Sequence, residues 1–327
     1  MTSFPTALGL SAEQTRDVIR CAGRAPSLHN RQPWRFRLSE HVIEVHADPQ
    51  RRLPAADPDD RELRLACGAA LLNLRLALEH AGIRPVVDPP SPLAPPTALA
   101  EVRSGGRNSQ VPAERALYEA IPRRRNNRRP FQETPVPIAD RHALVSAAQR
   151  EQGRLHVLAR TDLDPFGELV HQAHRVQMDD ERFRAEMDHW TGRDRNTSEG
   201  VPAVASGPLP EPQDLWVVRD FSAGQAPARV AGKDFEREPL LAVLCSLHDS
   251  RTDDVRAGQA LQRVLLTACA HGLSSSVLSQ VPEVPETREE LRRMLGGSLH
   301  PQAVLRFGYG SPTPETRRRE PEELLLD

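Results

Sequence analysis

Cys67-Gly-Ala-Ala-Leu-Leu-Asn-Leu-Arg-Leu-Ala-Leu-Glu-His-Ala-Gly-Ile83 is the stretch that decides the fold, because the chain carries it twice. It lies without a gap over Ala257-Gly-Gln-Ala-Leu-Gln-Arg-Val-Leu-Leu-Thr-Ala-Cys-Ala-His-Gly-Leu273, and Gly68/Gly258, Ala70/Ala260, Leu71/Leu261, Leu76/Leu266 and Gly82/Gly272 are identical pairs. The broad apolar face of each copy marks a central buried helix, and the closing glycines are placed as C-terminal caps. Small residues repeated on one face permit close helix–helix approach. Two such helices packed across a pseudo-two-fold axis would imitate an isologous homodimer inside one chain.

Working outward, Ser11 is placed to cap a helix through Val18, Ile19 and Ala22. Ala25-Pro26 ends it, since a residue before proline is pushed out of the α region. Trp34–Leu38 and Val42–Ala47 read as paired strands, followed by the helix Arg61–Ala81 and strands at Ile83–Val87 and Ala98–Arg103. Ser104–Gln110 reads as a loop and as the boundary between halves 1–110 and 111–327. The second half offers helices through Leu117, over Ile138–Arg150, Asp164–Gln177 and Arg256–His271, and strands at Arg154–Ala159, Leu240–Leu247 and Ala303–Phe307. Met178–Gln213 is long, polar and turn-rich, and reads as a lid-like insertion that Trp190 and Val201-Pro202 help to pack.

Between the first helix and strand stands Ala25-Pro-Ser-Leu-His-Asn-Arg-Gln-Pro-Trp-Arg-Phe36. A polar turn pinned by a rigid scaffold is a common place for a ligand site. This motif resembles the flavin-contacting loop of the nitroreductase family, most closely its Acg-type branch, in which two nitroreductase-like halves are fused. The resemblance implies an α+β, nitroreductase-like fold. Each half would have a mainly antiparallel sheet flanked by helices, and together they would form an intramolecular pseudo-dimer. It also implies that Pro26, Ser27, Leu28, Asn30 and Gln32 run beside the ring and ribityl chain of FMN, with His29 as a loop donor.

Arg123-Arg-Arg-Asn-Asn-Arg-Arg129 sets five arginines beside two asparagines, a dense array of fixed donors suited to phosphate oxygens. It resembles the family's Arg-Arg-Ser-x-Arg start, which implies phosphate contacts from Arg124, Asn126 and Arg128, with asparagine replacing serine. Arg317-Arg-Arg319 near the C-terminus resembles the arginine pair that closes on the same phosphate, without saying which of Arg317, Arg318 and Arg319 does so. Gly272–Gln280 stands where the family lines the flavin's pyrimidine and N5 side, implicating Ser279 and Gln280. Each site element occurs once. The second-half counterpart of the opening loop is expected to have been replaced by the lid-like insertion, and Met1–Gln14 contains nothing like the arginine run. One composite site per chain follows.

At 327 residues the chain is long enough for two cores. Cys21, Cys67, Cys245 and Cys269 form no C-x-x-C pair and read as small buried hydrophobes rather than a metal or disulfide framework. Met1-Thr-Ser-Phe-Pro5 lacks a signal peptide's charged start, and no apolar run approaches a membrane span. A cytoplasmic protein with no membrane partner is expected. The net charge of −2 and an arginine run without interleaved aromatics argue against nucleic acid. No nucleophile, carboxylate dyad or metal cluster stands out, as expected where a cofactor carries the chemistry. The resemblance implies an FMN oxidoreductase that passes hydride from NAD(P)H to a nitro or quinone acceptor. The alternative is a flavin store or sensor with FMN under a closed lid. Either would be a monomer with an internal pseudo-two-fold, or a dimer of such units.

Overall fold

Ser11 caps the first helix reciprocally: its hydroxyl accepts from the Gln14 amide while the Gln14 side chain accepts from the Ser11 amide. In the computed structural model, which describes residues 4–108, 111–226, 229 and 235–326, this helix is α1 (Ala12–Ala22). It leads through β1 (Trp34–Leu38), β2 (Val42–Ala47), α2 (Arg61–His80), β3 (Ile83–Asp88) and β4 (Ala98–Arg107). The chain continues as α3 (Pro112–Ala120), α4 (Ile138–Arg150), β5 (Arg154–Val157), α5 (Leu163–Asp179) and α6 (Glu181–Trp190). It ends with β6 (Leu240–Ser246), α7 (Arg251–Ala270), β7 (Ser274–Leu278), α8 (Gln280–Glu283), α9 (Pro285–Met294) and β8 (His300–Gly308).

The strands form two four-stranded sheets of order β1-β2-β4-β3 and β5-β6-β8-β7. Every neighbouring pair is antiparallel. Adding four to each number of the first order gives the second, with α2 and α7 at the same place in each. These helices cross where the repeated glycines meet. A Cβ on Gly68 would lie 2.1 Å from the Val255 carbonyl oxygen, and one on Gly258 would lie 2.0 Å from that of Leu65. Leu65 and Val255, themselves paired in the repeat, each enter the other half's core. The tail returns to the first half, where Leu324 is buried and the Leu326 amide donates to the Phe36 carbonyl oxygen at 2.8 Å.

Several expectations need correction. Strand β4 runs on through Ser104, which pairs with Pro85, as far as Arg107; Ser109 and Gln110 lie outside the described residues. The serine-rich 274–278 segment is a strand that sequence reading left unassigned. The insertion does not replace the opening loop. That loop joins α1 to β1, and its topological counterpart joining α4 to β5 is the short turn Glu151–Gly153. The insertion instead joins β5 to β6, where the first half has the tight turn Ser39–His41. It is also less turn-rich than Met178–Gln213 suggests, since α6 occupies ten of those residues. Of the cysteines, Cys67 and Cys245 are buried, while Cys21 and Cys269 are half-buried. No helix among the described residues is long and apolar enough to cross a membrane.

Candidate functional site

Beyond Pro26 the backbone turns through a conformation that few side chains adopt. His29, Asn30 and Gln32 have φ of 51°, 55° and 53°, the left-handed region, at roughly 1 kcal/mol or more each. Hydrogen bonds hold them there. The Gln32 amide donates to Ser27 Oγ at 2.9 Å, and Gln32 Oε1 accepts from the Arg319 amide at 2.9 Å. Asn30 Nδ2 faces the carbonyl oxygens of Ser198, Gly200 and Arg317 at 3.3, 3.2 and 3.2 Å. Those acceptors fix the orientation of the amide and leave Oδ1 buried without a partner among the described residues. His29 is 3% exposed, and neither ring nitrogen has a hydrogen-bond partner among the described residues. Burial above all, with the Arg219 cation next, pushes its pKa down to about 3. The neutral ring therefore offers one donor and one acceptor.

This turn walls a cleft between the halves that encloses about 1200 Å³ of empty space, its open mouth included. From the first half come Pro26, Ser27, Leu28, His29 and Asn30, with Glu62, Leu65 and Ala66 of α2. The second half contributes Arg124, Arg125, Asn126 and Arg128, then Leu261 and Leu265 of α7, then Ser275, Val277 and Ser279. The arginine run is docked on β7: the Val277 amide donates to Asn126 Oδ1 at 2.8 Å and the Asn127 amide to the Ser275 carbonyl at 2.8 Å. Val201 and Phe221 of the insertion complete the wall, and Phe221 lies beyond the 178–213 expected for the lid. Glu199, between the two lid carbonyls that Asn30 grips, accepts from Arg51 at 2.6 Å.

At one end Arg24, Arg124, Arg125 and Arg318 converge on a single carboxylate, Glu315, which pairs with Arg24 and Arg125. Arg124 is 6% exposed, has a partnerless Nε and no carboxylate partner among the described residues. Burial, reinforced by Arg125, pushes its pKa down to about 10. Burial, then the Arg124 charge, pushes Arg318 to about 9. Such depression marks cations crowded together with too little counter-charge. The rest of the lining is mixed: apolar Leu28, Leu65, Leu261, Leu265, Val201 and Phe221 share it with Arg128, whose guanidinium lies over the Phe221 ring.

Ten of the residues singled out in the sequence line this cleft: Pro26, Ser27, Leu28, His29, Asn30, Arg124, Asn126, Arg128, Ser279 and Arg318. Gln32, Gln280, Arg317 and Arg319 do not. Gln32 is fully buried behind the turn, Gln280 is buried at the start of α8, and Arg319 reaches the Glu323 carbonyl. Arg128 lies away from that cluster and beside Arg219: its guanidinium is 4.2 Å from the Phe221 ring centroid, that of Arg219 is 5.7 Å from the same ring, and Arg128 donates to the Ala205 carbonyl. Sequence reading missed Arg24, Arg125, Glu62, Phe221 and Glu315. Arg24 and Arg125 adjoin motifs already singled out, whereas Phe221 carries no sequence signal.

Two antiparallel sheets around a paired helix core, with a cleft lined by apolar and cationic side chains of both halves, define a fused-dimer α+β protein. Comparison with known proteins then fixes the family. No protein-family model matches the chain. A Mycobacterium tuberculosis protein named "Putative NAD(P)H nitroreductase Rv3131" is 35% identical over 99% of this chain and 95% of its own length. The acg protein of the same organism, also named as an NAD(P)H nitroreductase, is 30% identical over 97% and 96%. Among solved structures, a nitroreductase with bound FMN from Bacteroides fragilis covers 62% of this chain and 92% of its own at 15% identity, with a TM-score of 0.38. One in complex with FMN from Desulfovibrio desulfuricans covers 67% and 98% at 16% identity, with a TM-score of 0.37. Likenesses of that strength carry nothing further, but the whole-chain sequence matches do. The chain belongs to the Acg-type NAD(P)H nitroreductase family.

Proposed function

We propose that the cleft holds FMN, with its phosphate among Arg24, Arg124, Arg125 and Arg318 and its ring beside His29 and Asn30. One observation carries this reading: Arg124, buried with no carboxylate partner among the described residues, crowds with Arg24, Arg125 and Arg318 in a cleft that also exposes to a ligand Asn30 Oδ1 and the His29 ring nitrogens, which lack hydrogen-bond partners among the described residues. A planar ring with amide-like edges and a phosphate tail satisfies both. When bound, FMN would supply hydride chemistry between NAD(P)H and a small electron acceptor of the nitro or quinone type. The protein would supply stacking surfaces, hydrogen bonds and access. The halves divide at 1–110 and 111–327, each chain has one site, and a reduced-nicotinamide donor places the protein in the cytoplasm.

The test is titration of FMN and riboflavin into wild type, Arg124→Ala and Arg318→Ala. A hydrogen bond to a charged group contributes roughly 1.5–3 kcal/mol, so each variant should lose about ten- to a hundredfold in FMN affinity. Riboflavin, which lacks the phosphate, should bind wild type weakly and barely notice either change. Equal small losses for both ligands would remove the arginines from the site. A second reading, FMN storage without turnover, is favoured by the bonds that hold Ser198 and Gly200 over the turn. Anaerobic NAD(P)H decides between them: bleaching of the flavin supports the enzyme, and an unreduced yellow protein supports the store.

A further inference from the structure

An acceptor that takes up hydride needs a proton as well, since a quinone plus hydride plus a proton gives the hydroquinone. Among the described residues two carboxylic acids line the cleft, Glu62 and Glu315. Glu315 lies among the arginines at the phosphate end. His29 is already neutral and holds its remaining proton firmly. Glu62, on the first turn of α2, lines the cleft beside Leu65 and Ala66 of the next turn. Its amide donates to Asp57 Oδ1 at 2.9 Å, and its Oε1 accepts from Arg61 Nη2. Arg61 is itself fixed by the Gln302 carbonyl at 2.6 Å, the Gln302 side-chain oxygen at 3.1 Å and the Pro282 carbonyl at 3.3 Å. One carboxyl oxygen is thus anchored. The other has no hydrogen-bond partner among the described residues, and the side chain keeps 11% of its exposure at the cleft wall.

We propose that Glu62 is the proton donor to the electron acceptor, an assignment that rests on the oxidoreductase reading above. The hydride comes from reduced nicotinamide by way of the cofactor. The Glu62 O–H bond breaks as an O–H bond forms on the acceptor oxygen, and the carboxylate left behind is held by Arg61 until solvent re-protonates it. The surroundings suit that task. Burial raises the Glu62 pKa most; Arg61 opposes it, Glu283 of α8 and Asp57 add to it, and the result is about 7. A carboxyl so placed is part protonated at neutral pH and can both give and regain a proton. The internal repeat agrees with a single site, because Thr252 stands opposite Glu62 in the second half.

The experiment uses FMN-loaded wild type, Glu62→Gln and Glu62→Asp, reduced anaerobically with NAD(P)H and then mixed with a saturating benzoquinone at pH values on both sides of 7. Wild-type flavin reoxidation should slow about tenfold per pH unit above about 7. Glu62→Gln should be slower by about a hundredfold below that pH and flat with pH, and Glu62→Asp should restore the pH dependence with part of the rate. Infrared difference spectra should show a protonated-carboxyl band that wild type loses across the same range and Glu62→Gln lacks. Reduction that proceeds normally, followed by equal reoxidation in wild type and Glu62→Gln, would overturn the role of Glu62 and leave the oxidoreductase standing. Wild-type FMN that NAD(P)H fails to reduce would overturn both.

Discussion

The pseudo-two-fold gives the α2–α7 pair two corresponding sides, and the protein treats them oppositely. On the open side Leu261 and Leu265 floor the cleft; their counterparts in the repeat are Leu71 and Arg75. Arg75 donates to Glu151 at 2.7 Å and to Gln259 at 2.8 Å, while Arg263 donates to Glu151 at 2.7 Å and to both oxygens of Glu114 at 3.0 Å. Glu151 itself comes from the short α4–β5 turn that corresponds to the long opening loop. Both sides therefore bury arginines. On the closed side the chain supplies the carboxylates, and on the open side the counter-charge is left for a ligand. The cost of burying a guanidinium is offset within the fold in the first case and left uncompensated in the ligand-free fold in the second.

The largest effect is expected at the axis both sides share. Gly68→Val or Gly258→Val should abolish folding, because even the first added carbon would meet a backbone carbonyl at 2.1 or 2.0 Å. Overpacking costs roughly 1–3 kcal/mol where side chains can give way, and a helix backbone cannot. Soluble variants with wild-type circular dichroism and unfolding midpoints would break the close-packed pair on which the comparison rests.

Next comes the closed side. Glu151→Ala leaves Arg75 with Gln259 and Arg263 with Glu114, and should cost about 1–3 kcal/mol in denaturant unfolding with FMN affinity unchanged. Arg124→Ala on the open side should leave the flavin-free protein no less stable than wild type. If both variants lose stability alike, the two sides do not differ as described.

A smaller effect depends on pH. The folded-state pKa of His29 lies near 3, below the ordinary 6.5. The unfolded chain therefore takes up a proton first, and stability is lost as pH falls from about 6.5 towards 3. At pH 5 the loss should be roughly 2 kcal/mol, and it should vanish from the unfolding profile of His29→Asn. A profile unchanged by that substitution would mean that His29 titrates normally and is not sealed in the turn.

The glycine repeat and the opening motif made both halves and one cleft wall legible, because each is written in residue types with few alternative uses. Gly68 and Gly258 have no reason to recur at that spacing except close approach, and Ser27, Asn30 and Gln32 stand together in one short block. Strand β7 was illegible because Ser274-Ser-Ser276 has low strand propensity, and its pairing to β8 supplies what propensity does not. The insertion was misplaced because β5 spans only four residues and Glu151–Gly153 keeps no trace of the loop it corresponds to. Glu62 reads as an ordinary first-turn acid, and only the packing of α8 and Arg61 around it shows otherwise. The resemblance to the family's arginine motif groups Arg128 with Arg124, yet docking of Asn126 and Asn127 on β7 sends the two arginines to different places.

The central claim is that one side of the helix pair is a site and the other is closed by its own charges. Titrating FMN into flavin-free protein of known concentration, with the mass of the complex measured in the same solution, tests it directly. The account predicts one FMN per chain, saturating whether or not chains associate. Two FMN per chain, or binding that appears only when chains pair, would contradict it.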